Sequence, residues 1–338
     1  MGGRIVGKAA PELAVRRLNW MLGMVHVAPL EGKLVTLIGG GGFLGSYVAQ
    51  GLLRRGARLR IAERHPESAF RLKPLAELGQ IQFARCNVKH RRSLEMAIQG
   101  ADAVVYMVGT WGADQRAVQA DGAGLAASIA ADGGAGAFVY VSAIGADRES
   151  SSGYAATKAE GEEQVLTAFP NATIVRPSIM FGEDDKFVNM FAGLMAALPV
   201  LPVFGSQAKL QPIFVDDAAE AIANALADPA KHGGKTFELA GPEVLTMEEL
   251  HRRIATAQGR KRHLLAVPDG LSALFAALPG TPMTSDQWHL LKQGNIASGK
   301  LPGCDALGIQ PRPLGLFLDR WMTRFRRQGR FADKREPA

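Results

Sequence analysis

The stretch Leu34-Val35-Thr36-Leu37-Ile38, followed at once by Gly39-Gly40-Gly41-Gly42 and then Phe43-Leu44-Gly45, constrains this chain more than any other. The apolar run has strand length, and a helix-like pattern begins at Phe43. Between them lies the spacing Gly39-x-x-Gly42-x-x-Gly45. Glycine at 39 permits a tight turn through positive φ. Glycine at 42 lets backbone approach a ligand without a Cβ in the way. Glycine at 45 lets the helix pack close to the strand. The first-turn N–H groups of Phe43, Leu44 and Gly45 then meet a pyrophosphate at the positive end of the helix dipole.

The rest of the N-terminal half fits that unit. Strand-length apolar runs fall at 34–38, 58–62, 80–84, 103–107, 137–141 and 172–175. Helical patterns fall near 43–55, 91–99, 114–131 and 154–168. This alternation predicts an α/β fold, a Rossmann-type doubly wound parallel sheet. Val104 to Val108 and Phe138 to Val141 are apolar at consecutive positions, as strands covered on both faces should be. Beyond residue 180 prolines and glycines become frequent, and helices are expected at 186–197, 216–227 and 246–257. A late strand is expected at 236–240, then a capping box from Thr246 to Glu249. We therefore expect an N-terminal extension over 1–30, a dinucleotide-binding domain over 31–182, and a smaller C-terminal cap with a basic tail over 183–338.

Cofactor choice is written at the end of the second strand. Glu63 stands 18 residues after Gly45, where a carboxylate accepts from the ribose 2′-hydroxyl of NADH. Arg64 beside it suits the 2′-phosphate of NADPH. Asn87-Val88 after the third strand and Val108-Gly109 after the fourth resemble the segments that, in short-chain dehydrogenases with this kind of glycine turn, touch the adenine ring and pass the cofactor ribose, which implies cofactor contacts there.

Ser142 ends the fifth strand, and Tyr154 and Lys158 follow, one helical turn apart on one face. A phenol titrates near 10 when free. A nearby ammonium favours the phenolate, so Tyr154 is placed to move a proton while Ser142 holds a substrate oxygen. The same Tyr154 and Lys158 also serve a chain that only binds its cofactor.

Two resemblances sharpen this. The glycine turn resembles the T-G-x-x-G-x-x-G of extended and atypical short-chain dehydrogenases, with Ile38 in place of the Thr. Glu63-Arg64-His65-Pro66 matches their V-R-x-P segment except at Glu63, which tips the expectation to NADPH, with NADH the alternative. The run from Ile174 to Ala192, with Leu72-Lys73-Pro74-Leu75, Ser151-Ser152-Gly153-Tyr154 and Gln211 to Asp217, resembles the NAD(P)H-binding accessory subunits of respiratory complex I. The likeness spans about residues 33 to 245. It implies NADPH held tightly for assembly and stability, other complex I subunits as partners, and Pro177, Ser178 and Ile179 on the cofactor. It also implies a peripheral place on the cytoplasmic face of a bacterial inner membrane, or on the matrix side in a mitochondrion. A free reductase or epimerase acting on a small carbonyl or nucleotide-sugar substrate is the second expectation. An NADP(H)-sensing regulator is the third.

Composition limits the remainder. Of 338 residues 47% are hydrophobic, enough for a full core. Cys86 and Cys304 make no disulfide framework, and lone buried thiols are expected. The seven histidines show no metal-ligand spacing, so no metal site is expected. Asp184-Asp185 reads as a solvated loop or a helix N-terminal charge. The net charge of +7 is concentrated in Arg320, Arg324, Arg326, Arg327, Arg330, Lys334 and Arg335. That tail suits an acidic partner or an anionic lipid surface. Nucleic acid is not expected, because no aromatic residues interleave with these charges as a base-stacking platform needs. Leu271 to Leu278 reads as a core helix of the cap, with a partner-facing or membrane-facing helix as the alternative.

Overall fold

The computed structural model describes residues 29–278, 280–281, 283–327 and 329. In chain order the elements of its first half are β1 (Leu34–Ile38), α1 (Phe43–Leu53), β2 (Arg58–Glu63), β3 (Ile81–Arg85), α2 (Arg91–Ile98), β4 (Ala103–Tyr106), α3 (Gly122–Asp132), β5 (Ala137–Val141), α4 (Gly153–Ala168) and β6 (Thr173–Pro177). The second half holds β7 (Met180–Phe181), α5 (Phe187–Ala197), β8 (Val200–Phe204), β9 (Lys209–Leu210), β10 (Ile213–Phe214), α6 (Val215–Ala227), α7 (Pro229–His232) and β11 (Thr236–Leu239). It closes with β12 (Leu245–Thr246), α8 (Met247–Ala257), β13 (His263–Val267), α9 (Asp269–Ala277), α10 (Ser285–Gln293) and α11 (Gly315–Met322).

The central sheet has seven strands in the order β11-β6-β5-β4-β1-β2-β3, all parallel. The consecutive apolar residues explain its two covers. In β4, Ala103 and Val105 join the core with Val48, Leu52, Ala218 and Ile222 of α1 and α6. Val104 and Tyr106 join the opposite core with Leu94, Ala126 and Val165 of α2, α3 and α4. Strand β5 divides in the same way, Val139 against Phe138 and Tyr140. The late strand β11 pairs with β6, so part of the C-terminal half completes the main sheet.

Just before α3 the chain makes a π-helical turn over Ala117–Asp121. Such a turn loosens the regular backbone ladder and needs other partners for its carbonyls. The buried phenols of Tyr106 and Tyr140 donate to the carbonyls of Val118 and Gln119. The turn is thereby fixed beneath the loop that follows β4.

Several expectations change here. Helix α9 forms, but Leu271, Leu274 and Leu278 are 59%, 61% and 52% exposed, so the core reading of that run is corrected. Its buried side is made instead by the small residues Ser272 and Ala276, while Phe275 stacks on Phe204 with ring centroids 4.8 Å apart. The basic tail is not simply solvated. Arg324 donates to the Glu183 carbonyl and the Asn189 side chain, both at 2.7 Å, and Arg326 donates to the Ala257 carbonyl at 3.0 Å. Arg330, Lys334 and Arg335 lie outside the described residues, as does the extension up to residue 28. Cys86 and Cys304 are free and buried, and burial pushes each thiol up to about 11. Asp185 is a helix-start carboxylate, accepting from the N–H groups of Val188 at 2.6 Å and Gly182 at 3.1 Å. Among the described residues no helix is long and apolar enough to cross a membrane.

Candidate functional site

The glycine turn connects β1 to α1 at the carboxyl end of the sheet. Gly39 has φ +89°, a value side-chain-bearing residues rarely adopt, and its N–H donates to the Ala62 carbonyl at 3.0 Å. A Cβ on Gly45 would lie 2.6 Å from the Gly39 carbonyl oxygen and 2.6 Å from the Gly40 Cα. Helix and turn are thus packed backbone to backbone, as the spacing requires. Phe43 packs edge-on against Tyr47, and a Cβ on Gly182 would meet its ring at 3.0 Å. Leu44 is buried in the core, so only its N–H is left to serve a ligand.

The second strand delivers Glu63 to this turn. Its Oε1 accepts the Gly41 N–H at 2.6 Å. Burial raises the carboxyl above its usual range, while the Gly41 amide, Arg64 and Arg71 pull it back. Arg71 crosses from the other side, its guanidinium donating to the Gly41 carbonyl and to Ser46 Oγ, both at 2.7 Å. The two peptide groups flanking the Gly41 Cα are therefore held, one by a carboxylate and the other by a cation. Sequence spacing gives no sign of Arg71, because it reaches the turn from the irregular helical segment Pro66–Leu75.

The remaining predicted residues converge on the same sheet end. A Cβ on Gly39 would lie 3.2 Å from Val108, and one on Gly109 would lie 3.7 Å from Lys158 Nζ. Asn87 accepts the Lys89 N–H through its side chain at 3.1 Å, which shapes the turn before α2, and Val88 is buried beside it. Pro177 ends β6, and Ser178 and Ile179 follow it. The Ser178 hydroxyl donates to the Gln211 carbonyl at 2.6 Å, and the Ile179 N–H donates to Asn295 Oδ1 at 2.6 Å. Ser178 and Ile179 are thus already bonded within the protein.

Helix α4 carries the expected Tyr154 and Lys158. It begins because Ser152 caps it, accepting the Ala155 N–H at 3.2 Å. Tyr154, Lys158 and Glu162 follow at four-residue intervals on one face. Lys158 Nζ donates to the Val141 carbonyl at 2.8 Å and stands 5.9 Å from the Tyr154 ring centre. Burial lowers the lysine to about 7, with Glu162 opposing. Burial, aided by Asp286, pushes Tyr154 up to about 12. The expected phenolate-favouring effect of Lys158 is therefore not what governs this pair: desolvation outweighs it on both members.

Ser142 is engaged elsewhere. Its hydroxyl donates to Glu162 Oε1, and Arg176 holds both oxygens of that carboxylate at 2.8 and 2.6 Å. The proton that would bind a substrate oxygen is directed into this buried cluster. Glu162 was legible in principle, one helical turn beyond Lys158. The other missed residues come from distant segments. Trp111 stacks on Tyr154 with ring centroids 4.3 Å apart and planes 18° apart. Asp286 Oδ2 accepts the Tyr154 N–H at 3.1 Å and the Gln115 side chain at 2.9 Å.

Lys158 makes a pH test. Its folded value, about 7, lies below the unfolded 10.5, so between these values the unfolded chain binds the extra proton. Stability should rise with pH across that window. In ligand-free protein the urea midpoint should increase from pH 7 to pH 9, and Lys158→Met should flatten that rise. An unchanged slope in the variant would contradict the assignment.

Comparison with known proteins agrees with this architecture. The sequence profile of the NmrA-like family matches residues 31–283. The mitochondrial NADH dehydrogenase (ubiquinone) 1 alpha subcomplex subunit 9 of Rattus norvegicus is 32% identical over 298 residues, covering 85% of this chain and 79% of that protein. A ceramide reductase of Caulobacter vibrioides is 30% identical over 240 residues, covering 70% and 74%. The crystal structure of the Citrobacter triphenylmethane reductase complexed with NADP(H) superposes with a TM-score of 0.69 at 18% identity, covering 85% of this chain and 99% of that one. The profile match over most of the chain, and the identity shared with subunit 9, establish that this chain belongs to the NmrA-like family, in the branch of the subunit 9 proteins.

Proposed function

We propose that this chain is an accessory subunit of a respiratory NADH:ubiquinone oxidoreductase, complex I, and that it holds a nicotinamide dinucleotide as a structural ligand. The subunit role is supported by the relatives named subunit 9, which align with most of its length. The structural use of the dinucleotide rests on one observation: the Ser142 hydroxyl donates its proton to the buried Glu162 carboxylate. A ligand that binds only the native state stabilises it by mass action, without turnover. Gly39, Gly42 and Gly45 would cradle the pyrophosphate, and Tyr154 and Lys158 would meet the nicotinamide ribose. When bound, such a cofactor supplies hydride chemistry, which this use leaves dormant.

On this reading the partners are other complex I subunits, and the place is peripheral on the inner membrane. That means the matrix side in a mitochondrion or the cytoplasmic face in a bacterium. Exposed groups support such docking. The basic turn Arg260-Lys261-Arg262-His263 leads into β13, where His263 pairs with exposed Val200 and Leu265 is exposed, and Leu271 and Leu274 of α9 are exposed further along the chain. Apolar side chains together with cations suit an anionic lipid headgroup layer or an acidic subunit face. The test is gentle solubilisation followed by native electrophoresis. The chain should migrate with the NADH-oxidising assembly; migration only as a free species overturns the subunit reading.

The adenosine end supports NADH over the NADPH that Arg64 suggests. The Glu63 carboxylate lies against the glycine turn, and on this reading its second oxygen would accept from the ribose 2′-hydroxyl. A 2′-phosphate there meets a like charge, which Arg64 and Arg71 offset only in part. Glu63→Gln should shift the ratio of NADPH to NADH affinity upward by about tenfold, the effect of about 1.4 kcal/mol. Tighter NADPH binding by the unmodified protein would restore the Arg64 reading.

A second reading, a reductase of small or lipid-like carbonyl compounds, draws support from the adjacent Tyr154 and Lys158 and from the reductase relative. It requires a substrate whose turnover Tyr154→Phe abolishes while dinucleotide binding persists.

A further inference from the structure

The loop after β4 does more than pass the cofactor. Its Trp111 indole lies flat on the Tyr154 ring, at 4.3 Å and 18°. The loop is tied down at several points. Lys89 pairs with Asp114 at 3.1 Å, and the Thr110 N–H donates to the buried Gln119 side chain at 3.2 Å. Gln115 donates to Asp286 at 2.9 Å. Asp286 belongs to α10, at the far end of the sequence, and the same oxygen caps the first turn of α4 through the Tyr154 N–H. Its other oxygen, Oδ1, is buried without a partner. A side chain held at that cost is positioned by its surroundings. Helix α10 is itself fixed by a capping box at Thr284 and Gln287 and by the Lys292–Asp269 ion pair at 3.2 Å.

We propose that Trp111 is a built-in occupant of the place a substrate carbonyl would take beside Tyr154, and that Asp286 latches it there through Gln115. The proposal rests on the dinucleotide reading of the site. It explains why a chain with tyrosine and lysine in register need not act on a substrate: the indole covers one face of the phenol ring, the space the body of a carbonyl compound would occupy while its oxygen met the hydroxyl. Removing the indole opens that face. A carbonyl compound would then accept hydride at carbon from the reduced nicotinamide and a proton at oxygen from Tyr154. The products are the alcohol and the oxidised dinucleotide, and Tyr154 recovers its proton from solvent.

The test uses the full chain with reduced dinucleotide bound, whose affinity is measured first in every variant. Two probes follow: isobutyramide, an unreactive carbonyl, observed by NMR line broadening, and 4-nitrobenzaldehyde, observed by cofactor oxidation. The unmodified protein should bind no isobutyramide and oxidise cofactor only at background rate. Trp111→Ala should bind isobutyramide and raise oxidation at least about tenfold, since proton transfer from a positioned side chain contributes that much or more. Trp111→Phe, which still stacks, should behave as the unmodified protein. Adding Tyr154→Phe to Trp111→Ala should remove oxidation but keep isobutyramide bound. Three results overturn the proposal: isobutyramide bound equally with and without the indole, no gain of binding in Trp111→Ala with dinucleotide still bound, or loss of dinucleotide affinity in Trp111→Ala, which would make the indole part of the cofactor site. Failure of the unmodified protein to bind any dinucleotide sinks the site reading itself, and the proposal with it.

Discussion

Replacing Gly45 with alanine is expected to weaken both the fold and dinucleotide binding. The added Cβ would stand 2.6 Å from both the Gly39 carbonyl oxygen and the Gly40 Cα. Both are backbone atoms of the turn and cannot rotate away as a side chain would. Helix α1 must therefore shift from β1, or the turn must open. Overpacking of this kind costs about 3 kcal/mol. The N–H groups proposed to bind the pyrophosphate move with the helix, and a displacement of about 1 Å costs roughly a hundredfold at a positioned site. Titration with NADH and NADPH should show both affinities falling together, with a lower urea midpoint. Gly193→Ala, where no atom lies near the new Cβ, is the control and should change neither.

Glu162→Ala carries the second large effect. Its carboxylate joins Ser142 and Arg176 inside the protein. Removing it leaves the half-buried guanidinium without its bidentate partner and strands the serine hydroxyl. Breaking a largely buried pair from one side costs about 3 kcal/mol. Glu162→Gln should cost less, because the amide keeps one acceptor for Arg176. Lys158 should respond too, since Glu162 is the group that opposes its depression by burial. With the carboxylate gone the lysine value should fall further, so the rise of stability with pH should begin below neutrality. A Glu162→Ala protein as stable as the original would mean that the cluster contributes nothing to the fold.

The division between what the chain announces and what it withholds follows chain distance. Strand positions were legible because residues such as Val104, Val105, Phe138 and Val139 are apolar on both faces, a pattern only a doubly covered strand needs. The glycine turn and the Tyr154–Lys158 pair were legible because their chemistry depends on local spacing. Trp111, Asp286, Asn295 and Arg71 were not, since each reaches the site across tens of residues or more and carries no local signature. The state of Ser142 was hidden for the same reason: its type and position at a strand end suggested substrate binding, while its partner lies 20 residues on in another element. The exposed leucines of α9 show the converse error. Their apolar character suggested core, but the small residues Ser272 and Ala276 make the closer packing surface. Glu63 and Arg64 remained in competition because adjacent residues at a strand end point differently, and only the turn they reach decides which meets a ligand.

The central claim is that a nicotinamide dinucleotide is held in this chain as part of its structure. The most direct measurement is to purify the protein without added nucleotide, denature it in acid or base, and quantify the released dinucleotide by chromatography. The account predicts about one dinucleotide per chain, with melting temperature falling when it is stripped and recovering when it is returned. Nucleotide-free protein whose melting temperature is indifferent to millimolar NADH and NADPH would contradict it.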